Sequence, residues 1–176
     1  MPKGELFIRS KRTIQAGSGT GIIDAGTEDR PSWVEDTGWV DAFVRYGMSL
    51  EPGGLSALMR PPTMKQPTGA SLAGVNGVAY DGETIGKYDE RTLGIDMHIV
   101  AASKAQYKER YDLMCDEVLS CGYFQLRVNG CDKFFHFIYQ DCQTFDQFNR
   151  EQAKFTISVL EPHPEIIDSR TPRIMQ

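Results

Sequence analysis

No stretch of this chain runs for the roughly 18 uncharged apolar residues that a membrane-spanning helix needs. The opening MPKGELFIRSKR is basic, but no apolar core and no small-residue cleavage site follow it, so neither secretion nor membrane insertion is expected. Cysteine is sparse: the four residues at 115, 121, 131 and 142 form no CxxC pair, and structural thiols in the reduced state are the default. With His98, His136 and His163 far apart, a cysteine-histidine metal site is not expected. The Gly-rich AGSGTGIIDAG at 16–26 lacks the lysine of a phosphate loop and matches neither GxxxxGK[ST] nor GxGxxG, so it reads as an arm without a cofactor. A net positive charge is also missing. The formal balance of −5 argues against tight sequence-independent binding of DNA, which needs clustered Lys and Arg.

What is present is ordinary for a globular domain: 176 residues, 40% hydrophobic and 24% charged, enough for one sizeable core. The charges are unevenly placed. Lys3, Arg9, Lys11 and Arg12 open the chain against Glu5, and Asp24, Glu28, Asp29, Glu35, Asp36 and Asp41 then face Arg30 alone. The organisation expected is an N-terminal arm over 1–37, a β domain over 38–164 with a long loop at 66–90, and a tail over 165–176.

Within the domain, Val40, Ala42 and Val44 alternate with Asp41, Phe43 and Arg45, which predicts a strand ended by EPGG at 51–54. LSALMRPPTMK at 55–65 reads as a short strand running into Pro61 and Pro62, which cannot donate to a ladder. The Gly-rich loop carries Asn76-Gly77, a pair suited to a type I′ turn, so a hairpin is expected at its centre. Arg91 to Val100 alternates clearly, with Leu93, Ile95, Met97 and Ile99 on one face. Ser103 and Gln106 form a capping box for a helix from Lys104 to Ser120, with Gly122 to end it and Glu117 on its exposed side. Phe124, Leu126 and Val128 face inward, Asn129-Gly130 turns the chain, and KFFHFIY follows with apolar residues on both faces. QTFDQFNREQ reads as a loop, and Phe155, Ile157 and Val159 form a last strand stopped by Pro162 and Pro164. The fold class predicted is mainly β with one helix: an antiparallel sandwich or barrel flanked by that helix.

Cys131, His136 and Asp141 suggest a nucleophile, a base and an orienting acid, but on one strand they lie roughly 16 Å apart at successive steps, with His136 on the opposite face. Nucleophile and base need contact at hydrogen-bond range. Asp96 and Glu90 as an acid and base pair have nothing to specify a substrate. No catalytic residue is assigned, and a small thiol or metal enzyme is the weakest of the readings.

From Asp41 onward the chain resembles the distal tail proteins of long-tailed bacteriophages, within the tail-tube structural superfamily. The segments that carry the resemblance are DAFVRYGMSLEPGGLSALMRPPTMK, RTLGIDMHIVAASKAQYKERYDLMCDEVL, and GYFQLRVNG through KFTISVLEPHP. It implies a virion protein, assembled in the bacterial cytoplasm, whose copies form a homohexameric ring joining the tail tube to the baseplate or tip proteins. DNA would pass transiently through the ring, and a mildly acidic protein suits that passage because like charges repel. A tail-tube subunit that stacks on itself is the alternative. The surfaces expected to meet another copy are the hairpin, through Leu72, Val75, Asn76, Gly77, Val78 and Tyr80, and the arm, through Ile22, Ile23 and Trp33.

Overall fold

The computed structural model describes residues 5–16, 23–24, 32–33, 38–71, 76–80, 82, 86–131 and 134–164. Its centre is one antiparallel sheet of seven strands in the order β4-β1-β9-β10-β11-β8-β5. The strands are β1 (Leu6–Ser10), β4 (Val40–Asp41), β5 (Met48–Leu50), β8 (Arg91–Val100), β9 (Tyr123–Val128), β10 (Phe134–Phe148) and β11 (Gln152–Glu161). Two small pairs stand apart, β2 (Ile23–Asp24) with β3 (Ser32–Trp33) and β6 (Gly69–Ala70) with β7 (Ala79–Tyr80). The four α-helices among the described residues are α1 (Lys11–Ala16), α2 (Ala42–Tyr46), α3 (Pro52–Met59) and α4 (Lys104–Met114), and α4 runs into a π-helical turn at Cys115–Leu119. The mainly β expectation stands, while the single helix is corrected to four.

The period-2 segments are strands because one face of each is apolar and buried. Leu93, Ile95, Met97 and Ile99 of β8 are buried with Phe124 and Leu126 of β9, Phe135 and Phe137 of β10, and Phe155, Ile157 and Val159 of β11. β1 adds Leu6 and Ile8, paired with Val128 and Leu126 of β9. Residues 6–10, expected as part of an arm, are therefore a sheet strand. Helical Tyr46, Leu58, Tyr107, Met114 and Val118 cover the same core.

The sheet cannot be flat. Six interstrand steps of about 4.8 Å would put its edges ~29 Å apart, yet β4 and β5 are joined by α2, whose five residues rise only ~7.5 Å. The sheet therefore curls around its core towards a barrel, and α2 sits in the gap between the edges. The expected strand over 40–45 fails here for a local reason. Asp41 Oδ1 accepts the backbone N–H groups of Phe43 and Val44 at 2.9 and 3.1 Å, an N-cap that starts a helix in spite of the alternation. Gly47 ends it at φ +65°, and a Cβ there would lie 2.2 Å from Val100 O.

EPGG is likewise not a terminating turn. Pro52 occupies the first turn of α3, where its missing N–H costs nothing, so LSALM is helical and not a strand. α3 lies along the part of β8 that short β5 leaves uncovered: Glu51 N–H donates to Asp96 O at 2.9 Å, and a Cβ on Gly54 would come within 2.4 Å of that same oxygen. The expected loop over 143–152 is mostly strand, since β10 continues to Phe148 opposite β11 and turns at Asn149 and Arg150, both at positive φ.

Candidate functional site

The described chain projects one structure it does not cover. Around the bridge Met64↔Tyr88, Lys65 N–H donates to Lys87 O at 2.8 Å and Asp89 N–H to Thr63 O at 2.9 Å. Further out, Gly69 faces Tyr80 and Ala70 faces Ala79, with Gly77 at φ +101° at the far end. The pairs Gly69↔Tyr80 and Ala70↔Ala79 leave 71–78 as the connection, so the long loop does form a hairpin, but without the tight two-residue turn expected at Asn76-Gly77. Gly69 lets the second strand close on the first, because a Cβ there would stand 2.6 Å from Val78 Cγ1 and 2.9 Å from Tyr80 Cε1. Met64, Val78 and Tyr80 are 56%, 48% and 57% exposed. An isolated two-stranded ribbon is marginal in water, and among the described residues nothing covers these large apolar side chains.

Of the residues expected at subunit contacts, Asn76, Gly77, Val78 and Tyr80 lie exposed on this ribbon. Leu72, Val75 and Ile22 fall outside the described residues. Ile23 and Trp33 are paired through the backbone in the β2 and β3 ladder.

The residues weighed for chemistry are not brought together. Cys131 Sγ contacts Met59 S at 3.6 Å, and Asp141 Oδ1 accepts from Cys142 N–H at 2.7 Å. His136 stands opposite Gln125 in the β9 and β10 ladder, with Nδ1 3.0 Å from Gln125 Nε2 and 3.1 Å from the Tyr123 hydroxyl. That is a cross-strand hydrogen-bonded histidine. Burial pushes the Cys115 and Cys142 thiols up, which keeps them protonated and weakly nucleophilic at neutral pH.

A different constellation was invisible in the sequence. Ser49 on β5 faces His98 on β8, and His98 Nδ1 lies 2.7 Å from Glu51 Oε1. The order serine, histidine, glutamate imitates a hydrolase triad, but the geometry differs. A hydroxyl aligned with the Nε2 lone pair would be remote from Nδ1, whereas Ser49 Oγ is 2.9 Å from Nε2 and 3.4 Å from Nδ1, against the side of the ring. Ser49 is also buried. The adjoining open cleft of about 310 Å³ includes Glu51, Asp96, Thr144, Asp146, Lys154 and Thr156 in its lining. Several of these groups satisfy one another: Thr144 Oγ1 donates to Thr156 Oγ1 at 2.9 Å, and Thr156 Oγ1 donates to Asp96 Oδ1 at 2.7 Å. Among the described residues no three His, Cys, Asp or Glu side chains converge on a metal position, and no helix is long and apolar enough to cross a membrane.

Two clusters hold the fold that carries the ribbon. Outside the β4, β1, β9 and β10 end of the sheet, the Arg127 guanidinium lies 4.7 Å from the Phe7 ring centroid and 5.0 Å from that of Trp39, and Trp39 stacks on Phe134 at 5.3 Å. At the gap, Glu117 accepts from Arg45 Nε at 2.6 Å, from Arg45 Nη2, and from the Tyr46 hydroxyl at 2.8 Å. Glu117, expected on an exposed helix face, is buried at 8% because the π-helical turn, with its Ser120 N–H to Cys115 O bond of 2.8 Å, inserts a residue and rotates the helix. Burial alone would raise its carboxyl, but Arg45 and Tyr46 outweigh burial and hold it below the ordinary carboxylate value. Ser10 Oγ donates to Glu117 O, which ties β1 to the same point.

No protein-family profile and no curated protein matches this sequence. Among solved structures, the chain is similar to the Dit protein of phage SPP1, described as a paradigm of the hub adsorption apparatus in phages that infect Gram-positive bacteria. The TM-score is 0.46 and the identity 12%, over 71% of this chain and 47% of that one. The chain thus spans about half the length of the solved protein it matches.

Proposed function

We propose that this chain is a structural subunit of a bacteriophage tail, whose copies close into a ring, six by the resemblance stated above, at the distal end of the tail tube. In that place it joins the tube to the tip or baseplate proteins and frames the passage for DNA. Its role is to bind copies of itself and neighbouring tail proteins, not to turn over a substrate. The observation that carries the reading is the projecting ribbon, with Met64, Val78 and Tyr80 exposed on two strands that are too few to be stable by themselves.

The test is made on particles. Antibody labelling of tails, with quantitative mass spectrometry for copy number, is expected to place the protein at one end of the tail in a single ring's worth of copies. Labelling along the whole tail in many copies would make it a tube subunit, and absence from particles would defeat the proposal.

A further inference from the structure

β10 is the longest strand of the sheet, and only its first part is paired on both sides. Its ladder with β9 ends at Ile138↔Tyr123, and Tyr139 N–H to Gly122 O at 2.7 Å closes that side. Beyond it, among the described residues, the strand is held by β11 alone. Register shifts at Gln140 and Gln143 interrupt the pairing, after which Thr144–Phe148 runs without a break opposite Thr156–Gln152. In such a run alternate residues turn their backbone N–H and C=O to the paired strand and the others turn theirs outward. Here the outward groups lie along an edge where Thr144, Phe145 and Asp146 are all exposed.

The edge has a chemical character. From Tyr139 to Phe148 there is no Lys or Arg, while Asp141 and Asp146 are acidic. Phe145, 43% exposed, stands 5.7 Å from Tyr111 and 6.2 Å from Phe155 between ring centroids, which makes an aromatic step beside the open backbone.

The ribbon offers the complement. From Arg60 to Ser71 there is no Asp or Glu, while Arg60 and Lys65 are basic. At the bridge Met64↔Tyr88 the bonds are made by the flanking Thr63, Lys65, Lys87 and Asp89, so the N–H and C=O of Met64 itself point away from the ribbon's second strand. Among the described residues Met64 therefore presents an outward-turned backbone without a strand partner and an exposed thioether side chain together, and thioethers pack well on aromatic rings.

We infer that the open edge of β10 at Thr144–Phe148 is the docking site for the ribbon strand around Met64 of a second copy, added as a further antiparallel or parallel strand. Met64 packs on Phe145 and Tyr111, and Lys65 faces Asp146. This rests on the reading that copies associate, and it names the surfaces that do so.

The full chain is compared in dilute and concentrated solution by hydrogen exchange, with its mass followed by light scattering. On association, the amides of residues 144–148 and 64–66 are expected to slow together by at least about tenfold. Lys65→Glu and Asp146→Lys are each expected to weaken association by at least about fivefold, and the double variant is expected to recover it. Circular dichroism confirms that each variant remains folded. Association with residues 144–148 exchanging as in the monomer, protection of 144–148 without 64–66, or no recovery in the double variant would overturn the docking site while leaving the assembly reading intact. Protection of 144–148 only when another tail protein is added would assign the edge to that partner and overturn the inference. A chain that remains monomeric at every concentration would remove both.

Discussion

Replacing Glu117 by glutamine removes one charge from the point where α2, β1 and the π-helical turn meet. The carboxylate accepts two bonds from the Arg45 guanidinium and one from the Tyr46 hydroxyl. Breaking a fully buried ion pair costs about 3–5 kcal/mol, but the Arg45 side chain is 34% exposed, so water recovers part of that loss. Glutamine also keeps one acceptor oxygen. A cost of about 2–3 kcal/mol remains. For a chain of this length each kcal/mol corresponds to about 2–4 °C, so a fall in Tm of roughly 5–10 °C is expected by circular dichroism at pH 7. The pH dependence follows from the direction of the shift. The folded carboxyl titrates below its ordinary value, so its contribution is complete above the ordinary carboxylate pKa of about 4.3 and is lost as pH falls through the folded value. The difference between the two proteins should therefore be constant from pH 5 to 7, by that same reference value, and shrink in more acid solution. A Tm change under about 1 °C at pH 7 would refute the claim that this pair holds the gap closed.

Gly47→Ala should cost about 3 kcal/mol or more, because φ +65° is strained for alanine and its Cβ would meet Val100 O; urea titration measures this, and a loss under about 1 kcal/mol would contradict the close approach. The double variant Val78→Ser with Tyr80→Ser should leave the monomer's Tm within about 2 °C while reducing association, since both side chains are exposed; a large loss of Tm would mean that the ribbon is packed within its own chain. His136→Gln keeps a hydrogen-bonding group beside Gln125 and Tyr123, so it should cost about 1 kcal/mol and leave association unchanged; lost association with an unchanged Tm would give that histidine a role at an interface.

What could be read from the residues was whatever local pattern and burial agreed upon. β8 and β9 alternate cleanly and bury the predicted face. The start of α4 is capped as expected, with Ser103 Oγ accepting Gln106 N–H at 3.2 Å, although the Gln106 side chain reaches back to Ala102 and not to Ser103. The misses have separate physical causes. In 40–46 one side-chain cap at Asp41 outweighed a period-2 pattern, and at Pro52 a residue read as a stop served as a start. β1 looked like an arm because Arg9 is charged; in the fold it is buried, with its guanidinium 5.6 Å from the Trp39 ring centroid. The far half of β10 is polar because its edge is exposed, and its turn uses Asn149 and Arg150 in place of glycine. Glu117 was misplaced because a π-helical turn breaks the 3.6-residue period on which the helix face was assigned. That the long loop forms a hairpin was legible, but the turn expected at Asn76-Gly77 was not the one formed, and the ribbon's register, its backbone at Met64 and the acceptor edge on β10 are set by pairing between distant residues.

The central claim is that this chain associates with itself through its projecting ribbon. Light scattering on the purified full chain, coupled to size exclusion across a wide range of concentration, tests that claim most directly. A discrete species near six times the 19.7 kDa chain mass, lost in the Val78→Ser and Tyr80→Ser double variant, is the predicted result. A species of one chain mass at every concentration, or a closed oligomer indifferent to the ribbon substitutions, would contradict it.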